Sequence, residues 1–215
     1  MASASARKTP ARDASTRERM LDAALEAFAE LGFDGASTRT IAGRAGVNQG
    51  LIPYYFGTKE KLWHEAVDRA FADMAAELED VLGDDPPPPR ERLEQAIRGI
   101  VRFSGRRPAF TQLMSDEGKR EGPRMRWIVD RYVKPMFAAM QGLIEDAGSA
   151  SRFPRGLDPL HAFYIFVGAA TQLFHQSAEF HRLSGRRATE TEIIETHADA
   201  LIALFVGPPK RKTRS

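Results

Sequence analysis

The stretch TRTIAGRAGVNQGLI, residues 38–52, decides the fold. Gly46 stands at its centre, where a tight turn between two short helices needs a residue that tolerates a positive φ. The small side chain of Ala42 lets the two helices approach closely, and apolar residues at positions 41, 45, 47 and 52 can seal the angle between them. The pattern predicts a helix-turn-helix unit, in which the second helix enters the major groove of DNA.

The flanking residues extend this pattern in both directions. Apolar residues recur at helical spacing from Ser15 to Gly32, and the glycine is predicted to end this first helix. The aromatic cluster YYFGTK lies at residues 54–59, and a long helix is predicted to begin at its lysine. With IAGRAGV at residues 41–47 between these flanks, residues 16–62 resemble the TetR family of bacterial transcriptional regulators.

The resemblance implies which residues meet DNA. Thr38 and Thr40 lie at the start of one helix and Lys59 at the start of another, and helix N-termini attract phosphate. Gln49 is the best candidate for reading a base, because its amide can pair in bidentate fashion with adenine. The other implied contacts are Arg17, Gly50, Leu51, Pro53, Tyr54 and Tyr55.

Some of these positions have a second interpretation. Pro53 departs from the family, which usually has Tyr or Phe there, and is predicted to weaken the first turns of the recognition helix. Tyr55 fits a core position as well as a DNA contact. Arg17 and Lys59 are also compatible with a solvated surface, so both interpretations stay open for these residues.

The whole chain is predicted to be all-α, with about nine helices and no convincing strand alternation. These helices include a short one from about residue 49 to 56 and a strongly apolar one from 160 to about 183. The four prolines at 86–89 indicate a non-helical connector, and Pro135 is expected to kink a helix at 124–147. The predicted division comprises a flexible basic arm (1–14), a helix-turn-helix DNA-binding domain (15–61), an effector-binding and dimerisation domain (62–206) and a basic tail (207–215).

Charge and composition narrow the class of protein. The 215 residues include 31 Lys and Arg, 29 Asp and Glu, and no Cys, which excludes disulfides and thiolate chemistry. Residues 1–20 and 207–215 are basic, and such arms often touch nucleic acid, although solubility explains them equally well. The N-terminus lacks the apolar stretch of a secretory signal, and no window approaches a membrane span. We therefore expect a cytoplasmic, nucleoid-associated protein without membrane contact.

Catalytic and metal-binding patterns are not found in the sequence. It has no HExxH, no glycine-rich phosphate loop and no GxSxG, so we expect no enzyme activity and no cofactor. His175 and Glu179 lie four residues apart with His181 nearby, which makes a metal site conceivable. Because spacing fixes no third ligand, no metal is expected.

Two further predictions concern the second domain. The 160–180 segment is apolar almost all round and 190–206 adds an apolar stripe, so residues 158–206 are predicted to form a homodimer. Large adaptable side chains with a few polar ones are typical of ligand sites. The predicted effector-binding residues are Phe103, Phe110, Met114, Trp127, Met136, Met140, Tyr164, Gln172 and His175.

The predicted function is that of a ligand-responsive transcriptional regulator. The expected partners are a palindromic double-stranded DNA operator, a small and mostly apolar effector, and a second copy of the chain. The effector is expected to release a repressor from the operator by acting through the long helix at 59–82. The alternative is a nucleoid-type protein that binds DNA without sequence preference and without an effector.

Overall fold

The computed structural model describes residues 10–85 and 87–207. Over these residues the chain is helical and contains no strand, which confirms the predicted all-α class. Most of the predicted basic arm (1–14) and basic tail (207–215) lies outside the described residues. None of the helices in the described residues combines the length and the apolar character of a membrane span.

Twelve α-helical segments follow one another in the described chain. They are α1 (Pro10–Gly35), α2 (Thr38–Ala45), α3 (Leu51–Phe56), α4 (Lys59–Glu77), α5 (Glu79–Leu82), α6 (Pro89–Arg106), α7 (Pro108–Gly118), α8 (Pro123–Ile128), α9 (Lys134–Ala147), α10 (Pro159–His175), α11 (Ser177–Ser184) and α12 (Thr191–Phe205). Pro89 corrects the expectation that the whole proline run is non-helical. It is the first residue of α6, where its missing N–H leaves no helical hydrogen bond unmade.

Three helices that the sequence predicts as continuous are divided in the structure. The helix predicted for 59–82 is interrupted at Leu78, which has φ −110° and ψ 7°. The helix predicted for 160–183 is interrupted at Gln176, which has φ −96° and ψ 34°. The helix predicted for 124–147 contains a π-helical turn, Val129–Val133, between α8 and α9.

Pro135 explains this π-helical turn. A proline has no N–H to donate to the carbonyl of the residue four positions earlier, and its ring crowds that carbonyl. The chain widens just before it, and the N–H of Lys134 donates to the carbonyl of Val129, five residues back. The disturbance that the sequence predicts at Pro135 is therefore absorbed in the preceding turn.

The chain divides into two compact units, which we call the head unit (up to Ala70) and the body unit (from Phe71). The division falls within α4, whereas the sequence predicts a domain boundary between residues 61 and 62. In the head unit, Gly46 ends α2 with φ 65° and ψ 37°, as the tight turn requires. Ser37 caps the start of α2, where its Oγ accepts from the backbone N–H of Thr40 at 3.0 Å.

The head unit has an apolar core around this turn. Ile41 and Ala42 of α2 and Ile52 of α3 are buried, as are Met20 of α1 and Trp63 of α4. Of the four apolar residues predicted to pack between the two short helices, Ile41, Ala45 and Ile52 are buried and Val47 is partly buried. The backbone of α1 leaves the helical conformation at the predicted residue, Gly32, which has φ 71° and ψ 169°.

Helix α6 is central to the body unit, where it packs against α9, α10 and α12. Gly105 lies at the closest approach of three helices. A Cβ atom there would lie 2.5 Å from Cδ1 of Ile194 on α12 and 3.0 Å from Cε1 of Phe174 on α10. The absence of a side chain at residue 105 therefore sets how closely α6, α10 and α12 approach one another.

Ion pairs also join α6 to α12. Glu195 on α12 accepts from Nε of Arg102 at 2.6 Å and from Nη1 of Arg98 at 2.9 Å. The hydrogen bond from Arg102 is the main cause that lowers the pKa of Glu195, against the opposing effect of burial. A lowered carboxyl pKa stabilises the fold above the pKa of the unfolded chain, so this contribution is lost as the pH falls through the lowered pKa.

Candidate functional site

A surface groove of about 430 Å³ lies on the head unit, and we call it the recognition groove. Its lining residues are Thr38, Asn48, Gln49, Gly50, Ile52, Pro53, Gly57, Thr58 and Lys59. Five of them are residues that the sequence predicts as DNA contacts. The lining offers hydroxyls, amides and one ammonium group and includes no acidic side chain, which suits a polyanionic partner.

Gln49 is held across the groove by two long hydrogen bonds. Its Nε2 donates to Oγ1 of Thr38 at 3.5 Å, and its Oε1 accepts from Nε of Arg39 at 3.4 Å. Both distances are at the upper limit for hydrogen bonds, so a base edge can replace either partner at little cost. The side chain is exposed, and its amide is oriented before DNA arrives.

The start of α3 differs from the prediction. The sequence predicts a helix from residue 49, but α3 begins at Leu51, after a turn in which Oδ1 of Asn48 accepts from the N–H of Gly50 at 2.8 Å. Pro53 is the third residue of α3, and N–H groups in a first turn have no helical acceptor. Pro53 therefore costs α3 no hydrogen bond and instead fixes where the helix begins.

Lys59 also lines the recognition groove and is the first residue of α4. Its Nζ lies 4.6 Å from the ring centroid of Phe33 and donates to the carbonyl oxygen of Asp34 at 3.4 Å. These contacts hold the ammonium group at the end of α1 while the lysine still lines the groove. A positive charge in this position is suited to a phosphate.

The other predicted DNA contacts are distributed around the groove. Tyr54 is 76% exposed, and its ring packs edge-on against the ring of Tyr55, which is partly buried. Leu51 is also partly buried, and Thr40 is engaged with the Ser37 cap. Arg17 forms an ion pair with Glu65, so a phosphate would have to compete with that carboxylate for the guanidinium.

Four residues that line the groove are not among the predicted contacts: Asn48, Ile52, Gly57 and Thr58. Arg39, which lies outside the lining, is not among them either. Arg39 is exposed and touches the amide of Gln49, and Thr58 lines the groove beside Lys59. Oγ1 of Thr58 accepts from the N–H of Lys61 at 3.1 Å, so it also caps α4. The sequence could have identified Arg39 as a candidate DNA contact, because it lies between the predicted contacts Thr38 and Thr40 in the first turn of α2.

The body unit contains two adjoining cavities along α9. The first, which we call the apolar cavity, has a volume of about 60 Å³ and only apolar lining residues, from Leu78 and Val81 and from α6, α9, α10 and Phe153. The second, which we call the loop cavity, has a volume of about 360 Å³ and lies between the end of α9, the 148–157 segment and the start of α10. Met140, Ile144 and Phe153 line both, so the cavities share a wall.

The predicted effector residues do not converge on one place. Met136 and Met140 line the apolar cavity. Phe103 and Phe110 are buried edge-to-face at 5.2 Å, and Phe110 also packs on Phe71.

The remaining members of that set lie elsewhere in the body unit. Met114 is partly buried on α7, and Trp127 packs against Tyr132 at 5.6 Å. Tyr164 and Gln172 are exposed on α10, and His175 is partly buried at its end. None of these five residues lines the apolar cavity or the loop cavity.

In the described part of the chain, no group of three or more His, Cys, Asp and Glu side chains is placed to hold a metal ion. Nδ1 of His181 instead donates to the carbonyl oxygen of Arg186 at 3.1 Å.

A helix-turn-helix head with a groove suited to DNA, followed by a helical body with cavities, defines the class of helix-turn-helix DNA-binding proteins. Residues 20–66 match the family described as "Bacterial regulatory proteins, tetR family", and residues 89–204 match "Tetracyclin repressor-like, C-terminal domain". The chain belongs to the TetR family of bacterial transcriptional regulators. The resemblance that the sequence shows over residues 16–62 is confirmed.

Individual proteins are similar to this chain in sequence or in fold. The transcriptional repressor NicS of Pseudomonas putida is 26% identical over 189 residues, covering 86% of this chain and 87% of the relative. A TetR-like regulator from Rhodococcus sp. RHA1 has a TM-score of 0.65 at 21% identity, covering 88% of this chain and 92% of its own. The regulator FadR of Bacillus subtilis, solved in complex with stearoyl-CoA, has a TM-score of 0.63 at 18% identity, covering 89% and 99%.

Proposed function

We propose that this regulator is a repressor that a small, mostly apolar effector releases from a palindromic operator. The observation that carries the proposal is the recognition groove, where Gln49 and Lys59 lie with hydroxyl groups on one surface. The apolar cavity of the body unit supports an apolar effector. The similarity to NicS, a transcriptional repressor, supports repression as the mode of action.

A homodimer through residues 158–206 is part of this proposal. Seven large hydrophobic side chains are exposed in the described chain, and five of them lie in this range. They are Leu160, Tyr164, Ile165, Leu183 and Leu204. Exposed apolar side chains on α10 and α12 would be buried if two copies packed these helices together into a four-helix bundle.

The operator follows from the symmetry of such a dimer. Two recognition helices related by a twofold axis meet two half-sites of an inverted repeat, about one helical turn or slightly more apart. We propose that the effector acts through α4, which continues from the head unit into the body unit, by changing the separation of the two heads.

Selection of bound sequences from random double-stranded DNA by the full-length protein tests this function. An inverted repeat should be enriched, and a screen of small apolar compounds on the isolated operator complex should then find one that releases the DNA. Binding without enrichment would favour a nucleoid-type protein. An enriched operator that no compound releases would remove the effector from the proposal and keep the DNA-binding role.

Gln49→Ala should weaken binding to the selected operator by about 1–3 kcal/mol, because it removes the amide proposed to pair with a base. The preference should relax at one position in each half-site and stay unchanged at the others. Fluorescence anisotropy with single-base operator variants measures both effects. Gln95→Ala, which removes a side-chain amide from α6 of the body unit, outside the recognition groove and the proposed dimer interface, is the control. Equal losses at every base position would mean that Gln49 does not read a base.

Lys59→Ala should weaken binding to operator and random DNA alike. The loss of one phosphate contact per half-site should reduce the slope of log affinity against log salt by roughly one unit per half-site. Lys61→Ala removes the same charge two residues further along α4, from an exposed side chain outside the recognition groove. If both variants change the salt slope equally, Lys59 acts through net charge and not through a defined contact.

A further inference from the structure

The apolar cavity and the loop cavity differ sharply in the chemistry of their walls. The smaller cavity has only apolar lining residues, whereas the lining of the larger one includes Gln141, Glu145, Ser149 and Arg155. Because Met140 and Phe153 belong to both walls, a ligand in the larger cavity that displaces one of these side chains reaches the smaller one. The larger cavity alone is within the volume range of small-molecule sites, about 300–1,000 Å³.

Arg155 is fixed at the rim of the loop cavity by a tight turn. The N–H of Leu157 donates to the carbonyl of Pro154 at 3.1 Å, and Gly156 has φ 81°, as the third residue of a type II turn requires. Arg155 therefore occupies the corner of the turn. It forms no hydrogen bond or ion pair with the residues that the structure describes, so its donors are available to a ligand.

The carboxylate that shares the loop cavity is already engaged. Oε1 of Glu145 accepts from Nε2 of Gln141 at 3.0 Å, one helical turn away on α9. Glu145 lies beyond ion-pair distance of Arg155, whose guanidinium therefore remains uncompensated. A guanidinium without a counter-ion beside an apolar wall matches a molecule with a carboxylate at one end and a hydrocarbon chain at the other.

We propose that the two cavities form one site for an amphipathic carboxylate. Its carboxylate binds Arg155 at the rim of the loop cavity, and its hydrocarbon chain runs along Met140 and Phe153 into the apolar cavity. The site names the chemical class of the effector and in that respect rests on the proposed function, but carboxylate binding itself requires no DNA.

Isothermal titration of the full-length protein with decanoate, decanol and decyltrimethylammonium separates the charge from the chain. Decanoate should bind most tightly, and its affinity should fall about fourfold for each methylene removed in nonanoate and octanoate. Arg155→Gln should weaken decanoate about three- to tenfold and leave decanol unchanged, because only the carboxylate uses the guanidinium. Arg155→Glu should make the protein bind decyltrimethylammonium more tightly than decanoate.

Two further variants control this experiment. Arg182→Gln removes an equal charge from an exposed side chain on α11 and should leave decanoate binding unchanged. Ala139→Phe places a ring at the wall of the apolar cavity from an exposed position on α9, so it should weaken decanoate and decanol together. Circular dichroism of each variant establishes that the helical fold is kept.

The possible results distinguish carboxylate binding at this site from a role of the site in operator release. Equal affinity for decanoate and decanol, with no effect of Arg155→Gln, would overturn the proposal. Preference for decyltrimethylammonium in the unaltered protein would overturn it as well and assign the loop cavity to Glu145. If decanoate binds through Arg155 but does not release the selected operator, the carboxylate site is supported and has no part in the proposed effector mechanism. Operator release by a neutral compound, without decanoate binding, supports the proposed function and overturns this site.

Discussion

Gly168→Arg should convert the protein from a dimer to a monomer and weaken operator binding about 100-fold or more, since the two heads would no longer bind as one unit. Gly168 lies on the exposed face of α10, one and two helical turns beyond Tyr164 and Leu160. A Cβ atom there would meet nothing within 4 Å inside the chain. The arginine therefore leaves the folding of one copy undisturbed and blocks only the approach of a second.

Sedimentation velocity at micromolar concentration measures the change, and anisotropy with the selected operator measures its consequence. Gly142→Arg is the matched control, because a Cβ atom there also meets nothing within 4 Å and residue 142 lies outside the proposed interface. This control should remain dimeric. If Gly168→Arg is dimeric as well, α10 does not form the interface and another surface joins the two copies.

Gly105→Val should lower the free energy of unfolding by about 1–3 kcal/mol, the usual cost of overpacking a core. The new Cβ would lie 2.5 Å from Cδ1 and 2.6 Å from Cγ1 of Ile194, so α12 or α6 must move. Urea denaturation of the full-length protein measures the loss. Gly118→Val, at the exposed end of α7, meets only Cε of Met125 at 3.8 Å and should change stability by less than about 0.5 kcal/mol.

Equal stability of the two valine variants would show that α6 and α12 are not packed as described. A loss confined to Gly105→Val would instead support the three-helix contact.

The head unit is predictable from sequence because short-range rules determine it. Gly46 adopts the positive φ that the turn demands, and Ser37 caps α2 through a residue three positions away. The start of α3 is the exception. A helical pattern alone places it at residue 49, whereas Pro53 cannot donate to the carbonyl of residue 49, so the α-helix begins only at Leu51.

The body unit is less predictable because its site depends on contacts between distant segments. Phe103 and Phe110 are large apolar side chains of the kind that line ligand sites, yet their rings pack against each other. Tyr164 and Gln172 are on an apolar helix, but one face of α10 packs inward and the other is exposed. Arg155 lies in a segment that the sequence identifies only as a loop, and its relation to α9 becomes visible only in the folded chain.

The π-helical turn at Val129–Val133 has a consequence for how this protein tolerates insertions and deletions. A turn closed by a bond to the fifth residue back contains one residue more than an α-helical turn, so it is equivalent to a one-residue insertion. Deleting one residue of this turn together with Pro135→Ala would restore an uninterrupted α-helix with α8 and α9 on their present faces. The same deletion with the proline retained would rotate Met136 and Met140 away from the apolar cavity by about 100°. We therefore expect a one-residue deletion in this turn to be tolerated only when Pro135 is replaced as well.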